Sequence, residues 1–100
     1  MKLKIHSVHF NADTKLLGFV EAKVDHLLHI YQDIIDGEVY LKLDHNKAHE
    51  NKIAEIRIHT AVKVMFAKEQ CKTFEEATDN AVEALRKQIT KHKEKIRRGM

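Results

Sequence analysis

Residues 39–67 read VYLKLDHNKAHENKIAEIRIHTAVKVMFA, and this stretch decides the fold. Apolar and polar side chains alternate over Val39–Asp44 and again over Ala54–His59, which predicts two strands that each bury one face. Residues 45–51 are polar except for Ala48 and predict the loop between these strands. Because the strands follow one another without a long connection, we expect them to pair antiparallel.

A further strand is predicted over Val62–Ala67, but its alternation does not determine which of its two faces points into the core. Val62, Val64 and Phe66 share one face, whereas Lys63, Met65 and Ala67 share the other. The turn at Thr60–Lys63 contains no Gly, Asn or Pro, so the residues that usually specify a hairpin register are missing there.

Two elements precede this meander. Leu3 and Ile5 alternate with polar neighbours and predict a first strand. A helical period then runs from Asp13 or Thr14 to about Tyr31, with Asn11 or Asp13 as its N-cap. The pair Asp36-Gly37 is typical of a turn and is expected to precede the second strand.

A second helix follows the meander. Thr73-Phe74-Glu75-Glu76 fits a capping box, in which Thr73 caps the helix and Glu76 reaches back to its amide. Apolar residues and one histidine then recur at helical spacing and predict the buried stripe. They are Phe74, Ala77, Ala81, Leu85, Ile89, His92 and Ile96.

The predicted order is therefore β-α-β-β-β-α, an α+β fold. We expect a four-stranded sheet with both helices packed on one face. The first strand joins through a helix, so it is expected to lie parallel to its neighbour by a right-handed crossover. A length of 100 residues suits one domain, and we assign residues 1–100 to it.

Composition excludes several classes of protein. Hydrophobic residues make up 43% and charged residues 33%, with three Gly and no Pro, which argues against disorder and low complexity. No apolar run is long enough to span a membrane, and the N-terminus lacks the apolar core of a signal peptide. The single Cys71 has no internal disulfide partner, which favours a reducing, cytoplasmic location.

Charge is concentrated at one end of the chain. Residues 86–98 contain seven basic side chains and a single acidic one, Glu94, so this segment carries a net charge of +6. Because the whole chain carries +3, the remainder carries −3. A basic block of this density usually binds a polyanion, most often nucleic acid, although a solvated helix end would show the same composition.

Helical geometry distributes this block around the second helix. With 100° per residue, Leu85, Ile89, His92 and Ile96 face the sheet. Arg86, Lys93 and Arg97 lie on one flank, Lys87, Lys91 and Arg98 on the other, and Lys95 at about −80° from Leu85. Every side that is not buried is thus cationic. No aromatic residue accompanies these cations, which favours recognition of shape and phosphate over stacking on bases.

Other side-chain constellations predict no catalysis. The pair His26 and His29 has helical spacing but lacks the Cys or carboxylate ligands of a zinc site, and Cys71 has no neighbouring His. The Gly residues are single, so no phosphate-binding loop is present. We expect no enzymatic activity, no catalytic residue, no metal and no cofactor, and we expect His92 to be packed in the core.

Two stretches resemble a known family. Phe74-Glu75-Glu76-Ala77-Thr78-Asp79 and Leu85-Arg86-Lys87-Gln88-Ile89-Thr90-Lys91-His92-Lys93-Glu94-Lys95, together with the order of elements, resemble the ribosome hibernation promoting factor family, which includes protein Y. The resemblance is to its short form, without a C-terminal dimerisation domain. It extends nearly end to end, and the second helix is its most specific part. The sequence departs from the family pattern at Leu17 and Ala84, where many relatives carry a basic residue.

The resemblance implies a function. Members bind the small ribosomal subunit in the mRNA and tRNA channel at the decoding region, inhibit translation during dormancy, and in short forms take part in ribosome dimerisation. This implies a bacterial cytoplasmic protein that is a monomer when free, with the small subunit and its rRNA as partners and with no membrane or small-molecule substrate. The expected RNA-binding residues are Lys23, Arg86, Lys87, Lys91, Lys93, Lys95, Arg97 and Arg98.

Two alternatives remain open from the residues alone. The exposed face of the sheet could bind a protein partner in a regulatory module. A sheet with two helices could also serve generic double-stranded RNA binding, although the resemblance disfavours it.

Overall fold

The computed structural model describes the backbone of residues 2–31 and 33–98 and the side chains of residues 3–31 and 33–93. It confirms the predicted α+β fold and the order β-α-β-β-β-α. The elements are β1 (Lys2–Ser7), α1 (Thr14–His29), β2 (Ile34–Leu43), β3 (Lys52–Thr60), β4 (Val64–Cys71) and α2 (Phe74–Arg98).

The four strands form one sheet in the order β1-β2-β3-β4. The predicted meander is present, because β2 pairs antiparallel with β3 and β3 antiparallel with β4. The first strand pairs parallel with β2, as its connection through α1 requires. Spatial order thus follows chain order, with β1 and β4 at the two edges.

Both helices lie on one face of the sheet, where the core forms. Helix α2 lies over β3 and β4, and α1 packs beside it and also contacts β1 and β2. The buried stripe of α1 comprises Val20, Val24, Leu27 and Leu28, and that of α2 comprises Phe74, Ala77, Ala81, Leu85 and Ile89. The opposite face of the sheet carries no helix in the part of the chain that the structure describes.

The prediction of a turn at Asp36-Gly37 is wrong, because both residues lie inside β2. A shift of register separates Ile34 from Asp36 at the start of this strand. A β-carbon built on Gly37 would lie 3.2 Å from Ile58 and 3.6 Å from Leu28. Gly37 therefore leaves room for the Ile58 side chain of the paired strand β3, whereas Leu28 lies at an ordinary contact distance.

The sequence did not determine which face of β4 points into the core, and the burial of its side chains does. Met65 and Ala67 point into the core, whereas Val64 and Phe66 are exposed on the opposite face. The preceding turn is specified by Thr60, whose hydroxyl donates to the Lys63 carbonyl at 2.8 Å and accepts from the Lys63 amide at 3.1 Å. A threonine hydroxyl thus makes the side-chain hydrogen bonds to the backbone that Asn or Asp makes in many turns.

Both helices begin at predicted caps. The Asp13 carboxylate accepts from the Leu16 amide at 2.7 Å, and the Thr73 hydroxyl accepts from the Glu76 amide at 3.0 Å. Each bond satisfies one amide that the first turn of a helix leaves unpaired.

The loop between β2 and β3 is held by Asp44. Its carboxylate accepts from the Asn46 amide and from the Gln70 side chain on β4, each at 3.0 Å. The same Gln70 amide group also donates to the Glu50 carbonyl at 2.9 Å. These hydrogen bonds favour the charged carboxylate, and they lower the pKa of Asp44 below its ordinary value.

We expect the loop anchor to weaken in acid. A carboxyl group whose pKa is lowered on folding stabilises the protein above its unfolded pKa, about 4, and loses that contribution as pH falls through the folded value. The difference in free energy of unfolding between wild type and Asp44→Asn should therefore be largest near neutral pH and shrink below about pH 4. Urea denaturation across this range measures it. Gln70→Leu should reduce the same pH dependence, and a difference that does not vary with pH would contradict this assignment.

Candidate nucleic-acid interface

Helix α2 is positioned by its buried stripe, and this fixes where its cations lie. Leu85 and Ile89 are fully buried against the sheet, as predicted. His92 is half-buried and meets the ring of Tyr31 edge-on, with ring centroids 5.8 Å apart. It is packed rather than presented to solvent, so the predicted role of His92 agrees with its surroundings.

One flank of α2 lies beside α1, and its cations are engaged there. The Lys93 ammonium donates to the Ile30 carbonyl just beyond α1 at 2.6 Å and lies 5.3 Å from the centre of the Tyr31 ring. Lys93 therefore binds the carboxyl end of α1, where a cation is favoured by the helix dipole.

Lys23 and Arg86 are also paired within the protein. The Lys23 ammonium on α1 lies 3.2 Å from the Asp79 carboxylate on α2. The Arg86 guanidinium donates two hydrogen bonds to Glu83, at 3.0 and 3.2 Å, and this contact lowers the pKa of Glu83. All four side chains are about half exposed, so each pair contributes about 0–1 kcal/mol and can open to a phosphate.

The other flank of α2 is exposed to solvent. Lys87 and Lys91 lie one turn apart along a shallow groove of about 450 Å³. No carboxylate forms an ion pair with either ammonium among the described side chains. The groove ends toward β4, where the Gln88 side chain donates to the Phe66 carbonyl at 3.0 Å.

The structure thus separates the predicted residues into groups. Lys87 and Lys91 share one accessible groove, whereas Lys23, Arg86 and Lys93 make internal contacts that the sequence did not reveal. The predicted residues Lys95, Arg97 and Arg98 lie outside the described side chains, although the backbone of α2 extends to Arg98. Opposite charges spaced one turn apart could have indicated the Glu83–Arg86 pair. The other two contacts cross between helices and carry no local signal.

The structure bears on the metal ligands and the nucleophile considered from the sequence. No group of three or more His, Cys, Asp or Glu side chains among them is placed to hold a metal ion. Burial raises the pKa of the Cys71 thiol, which disfavours the nucleophilic thiolate. Neither helix in the part of the chain that is described is long and apolar enough to cross a membrane.

The fold is shared with two solved structures. A ribosomal subunit interface protein from Coxiella burnetii matches with a TM-score of 0.82 and 14% sequence identity over 93% of this chain and 98% of that chain. The N-terminal domain of protein Y from Thermus thermophilus matches with a TM-score of 0.76 and 22% identity over 92% of this chain and 99% of that chain. At these identities the likeness shows the fold alone. No curated protein sequence matches the chain significantly.

A family model provides the link by sequence. The model for the sigma 54 modulation protein / S30EA ribosomal protein matches residues 3–97, and it confirms the family predicted from α2 and the order of elements. Since that match covers nearly the whole chain, the protein belongs to the sigma 54 modulation protein / S30EA ribosomal protein family.

Proposed function

We propose that this protein is a ribosome hibernation factor that binds the small ribosomal subunit in the mRNA and tRNA channel at the decoding region and inhibits translation. Family membership supports the ribosome as partner. The observation that carries the proposal is the exposed groove of α2, where Lys87 and Lys91 project from a helix that is anchored in the core. We place this activity in the bacterial cytoplasm and propose that the free protein is a single-domain monomer.

The proposed mechanism is steric occupancy. The helix inserts as a rod between RNA strands, and lysines on its exposed side neutralise phosphates and release condensed counterions. Because Leu85 and Ile89 are buried, the rod does not need to become ordered on binding, and little conformational entropy is lost. A wedge of this kind excludes mRNA and tRNA without a chemical step, so the proposal requires no cofactor and no catalytic residue.

The internal pairs define a second layer of the proposed interface. Lys23 and Arg86 are half exposed, and either can exchange its carboxylate partner for an RNA phosphate. We extend the interface along α2 to Lys95, Arg97 and Arg98 on the basis of the sequence. Lys93 also belongs to this proposed set, although its bond to Ile30 assigns it a structural role as well.

Charge reversal in the groove tests the proposal. The variant Lys87→Glu/Lys91→Glu should lose co-sedimentation with small subunits in sucrose gradients, because two phosphate contacts become repulsive. If about five cations meet phosphates, log K should fall against log salt with a slope of roughly −3.5 to −4.5 in wild type, and the slope should be weaker by about 2 in the variant.

The matched control reverses two exposed lysines elsewhere. Lys47→Glu/Lys72→Glu changes the net charge by the same amount near the β2–β3 loop and the start of α2, away from Lys87 and Lys91, and should retain binding. Retained binding by the α2 variant would contradict the proposal and favour a protein-interaction module. The same gradients show directly whether ribosome dimers form. A titration with an RNA duplex is a separate test, and duplex binding as tight as subunit binding would favour generic double-stranded RNA binding.

Lys93 should behave differently from Lys91 in stability. Lys93→Met removes the hydrogen bond to Ile30 and the cation–π contact with Tyr31, so we expect it to lower the free energy of unfolding by about 1–2 kcal/mol. Lys91→Met, two residues away on the solvent-exposed flank, should change it by less than about 0.5 kcal/mol. Chemical denaturation of both variants measures the difference, and equal stabilities would show that the contact of Lys93 contributes nothing.

A further inference from the structure

The sheet face opposite the helices carries a row of planar side chains, one from each strand. They are His6 on β1, Tyr40 on β2, Arg57 on β3 and Phe66 on β4. His6 and Tyr40 are register partners whose rings stack at 4.7 Å and 18°, and Arg57 and Phe66 are register partners on β3 and β4. We call these four residues the planar row.

Arg57 joins the two halves of the planar row. Its guanidinium lies 5.7 Å from the centre of the Tyr40 ring and 5.7 Å from that of the Phe66 ring. Phe66 is 43% exposed, although nothing in the folding of this domain requires an aromatic residue on the solvent face of an edge strand. The row crosses three strand intervals of about 4.8 Å, roughly 14 Å across the sheet, and it shifts by two residues along the strands between Tyr40 and Arg57, whose register partners are Glu55 and Glu38.

The carboxylates on this face are engaged by neighbouring side chains. Glu55 is buried between two lysines, with its carboxylate 3.0 Å from the Lys42 ammonium and 3.7 Å from the Lys68 ammonium. Glu38 accepts the Tyr40 hydroxyl at 2.9 Å. Among the described residues, Arg57 and Lys4 form no ion pair with a carboxylate, although the carboxylate-bearing Glu38 is the register partner of both and lies between them on this face.

We propose that the planar row binds a short segment of single-stranded RNA by stacking its bases on Tyr40, Arg57 and Phe66, with phosphates near the flanking lysines. Aromatic rings and guanidinium planes on an open four-stranded sheet offer the surface on which unpaired bases stack. A duplex keeps its bases inside and cannot use the row. A peptide cannot add as a strand beside Tyr40 or Arg57, since β2 and β3 are already paired on both sides.

This inference goes beyond the proposed function. The planar row lies on the side of the sheet opposite α2. An experiment can therefore support phosphate binding by Lys87 and Lys91 and contradict base stacking on the row, or support stacking and contradict phosphate binding. The two surfaces are adjacent at the β4 edge, where the Gln88 side chain donates to the Phe66 carbonyl. A hexauridylate probe is short enough to report on the row by itself.

Heteronuclear NMR titration of the protein with hexauridylate tests the inference. We expect the largest amide shifts at His6, Tyr40, Arg57 and Phe66, and ring-current shifts at the Tyr40 and Phe66 rings. Polyphosphate of equal charge should instead shift the amides of Lys87 and Lys91 and produce no ring-current shifts at the Tyr40 and Phe66 rings, because it has no base to stack. Hexauridylate shifts confined to α2, or the absence of any shift at the row, would overturn the inference.

Three variants give the quantitative test. Phe66→Leu and Tyr40→Leu each remove one stacking plane and should raise the Kd for hexauridylate by about fivefold to a hundredfold. Arg57→Lys keeps the charge but loses the plane and should also raise it. The Phe66→Leu change is at an exposed edge and is not expected to unfold the sheet, and thermal unfolding checks all three. An unchanged Kd in folded Phe66→Leu and Arg57→Lys overturns the inference, whatever the result of subunit sedimentation.

Discussion

Burial of one side of α2 against β3 and β4 is the constraint on which the rest of the structure depends. Leu85 and Ile89 contribute about 1.5–3 kcal/mol each by leaving water, and Ala77 and Ala81 let the helix approach the sheet closely. This burial sets the rotation of the helix about its axis. Every cation of the basic block then takes a fixed direction, so the same contacts that stabilise the core determine which lysines are accessible.

The sequence predicted the strands correctly where a strand buries only one of its two faces. Alternation located β2 and β3 because each places apolar residues inward and polar residues outward over at least three pairs. It failed at Gly37, where the tightest neighbour is the Ile58 side chain, which lies on the paired strand β3 and is distant in sequence. It also could not orient β4, since Val64 and Phe66 are as apolar as the buried Met65. The exposed pair departs from the usual pattern, and a departure of that kind suggests a surface with a function.

The sequence could predict on which face of α2 each cation of the candidate site lies. Helical geometry separated the flank of Lys87 and Lys91 from that of Arg86 and Lys93, since both depend only on the position of Leu85. The sequence could not predict that Lys93 binds the end of α1, because that contact depends on how two helices pack. Lys23 and Asp79 are likewise more than fifty residues apart, and their pairing exists only in the folded protein.

Charge and planarity are segregated to the two sides of the sheet. Lys87 and Lys91 on the exposed side of α2 make no cation–π contact among the described side chains, whereas the open face places the Arg57 guanidinium between two rings and pairs Glu55 with lysines. The difference matters because the two parts of RNA are bound by different side chains. Phosphates are bound by positive charge, whatever the shape of the side chain, whereas bases stack on planar side chains that need little charge. If folding alone shaped the open face, short polar side chains would suffice there. The rings and Arg57 are ordered by one another before any ligand arrives, so a base stacking on them would incur little of the entropy loss that flexible side chains impose.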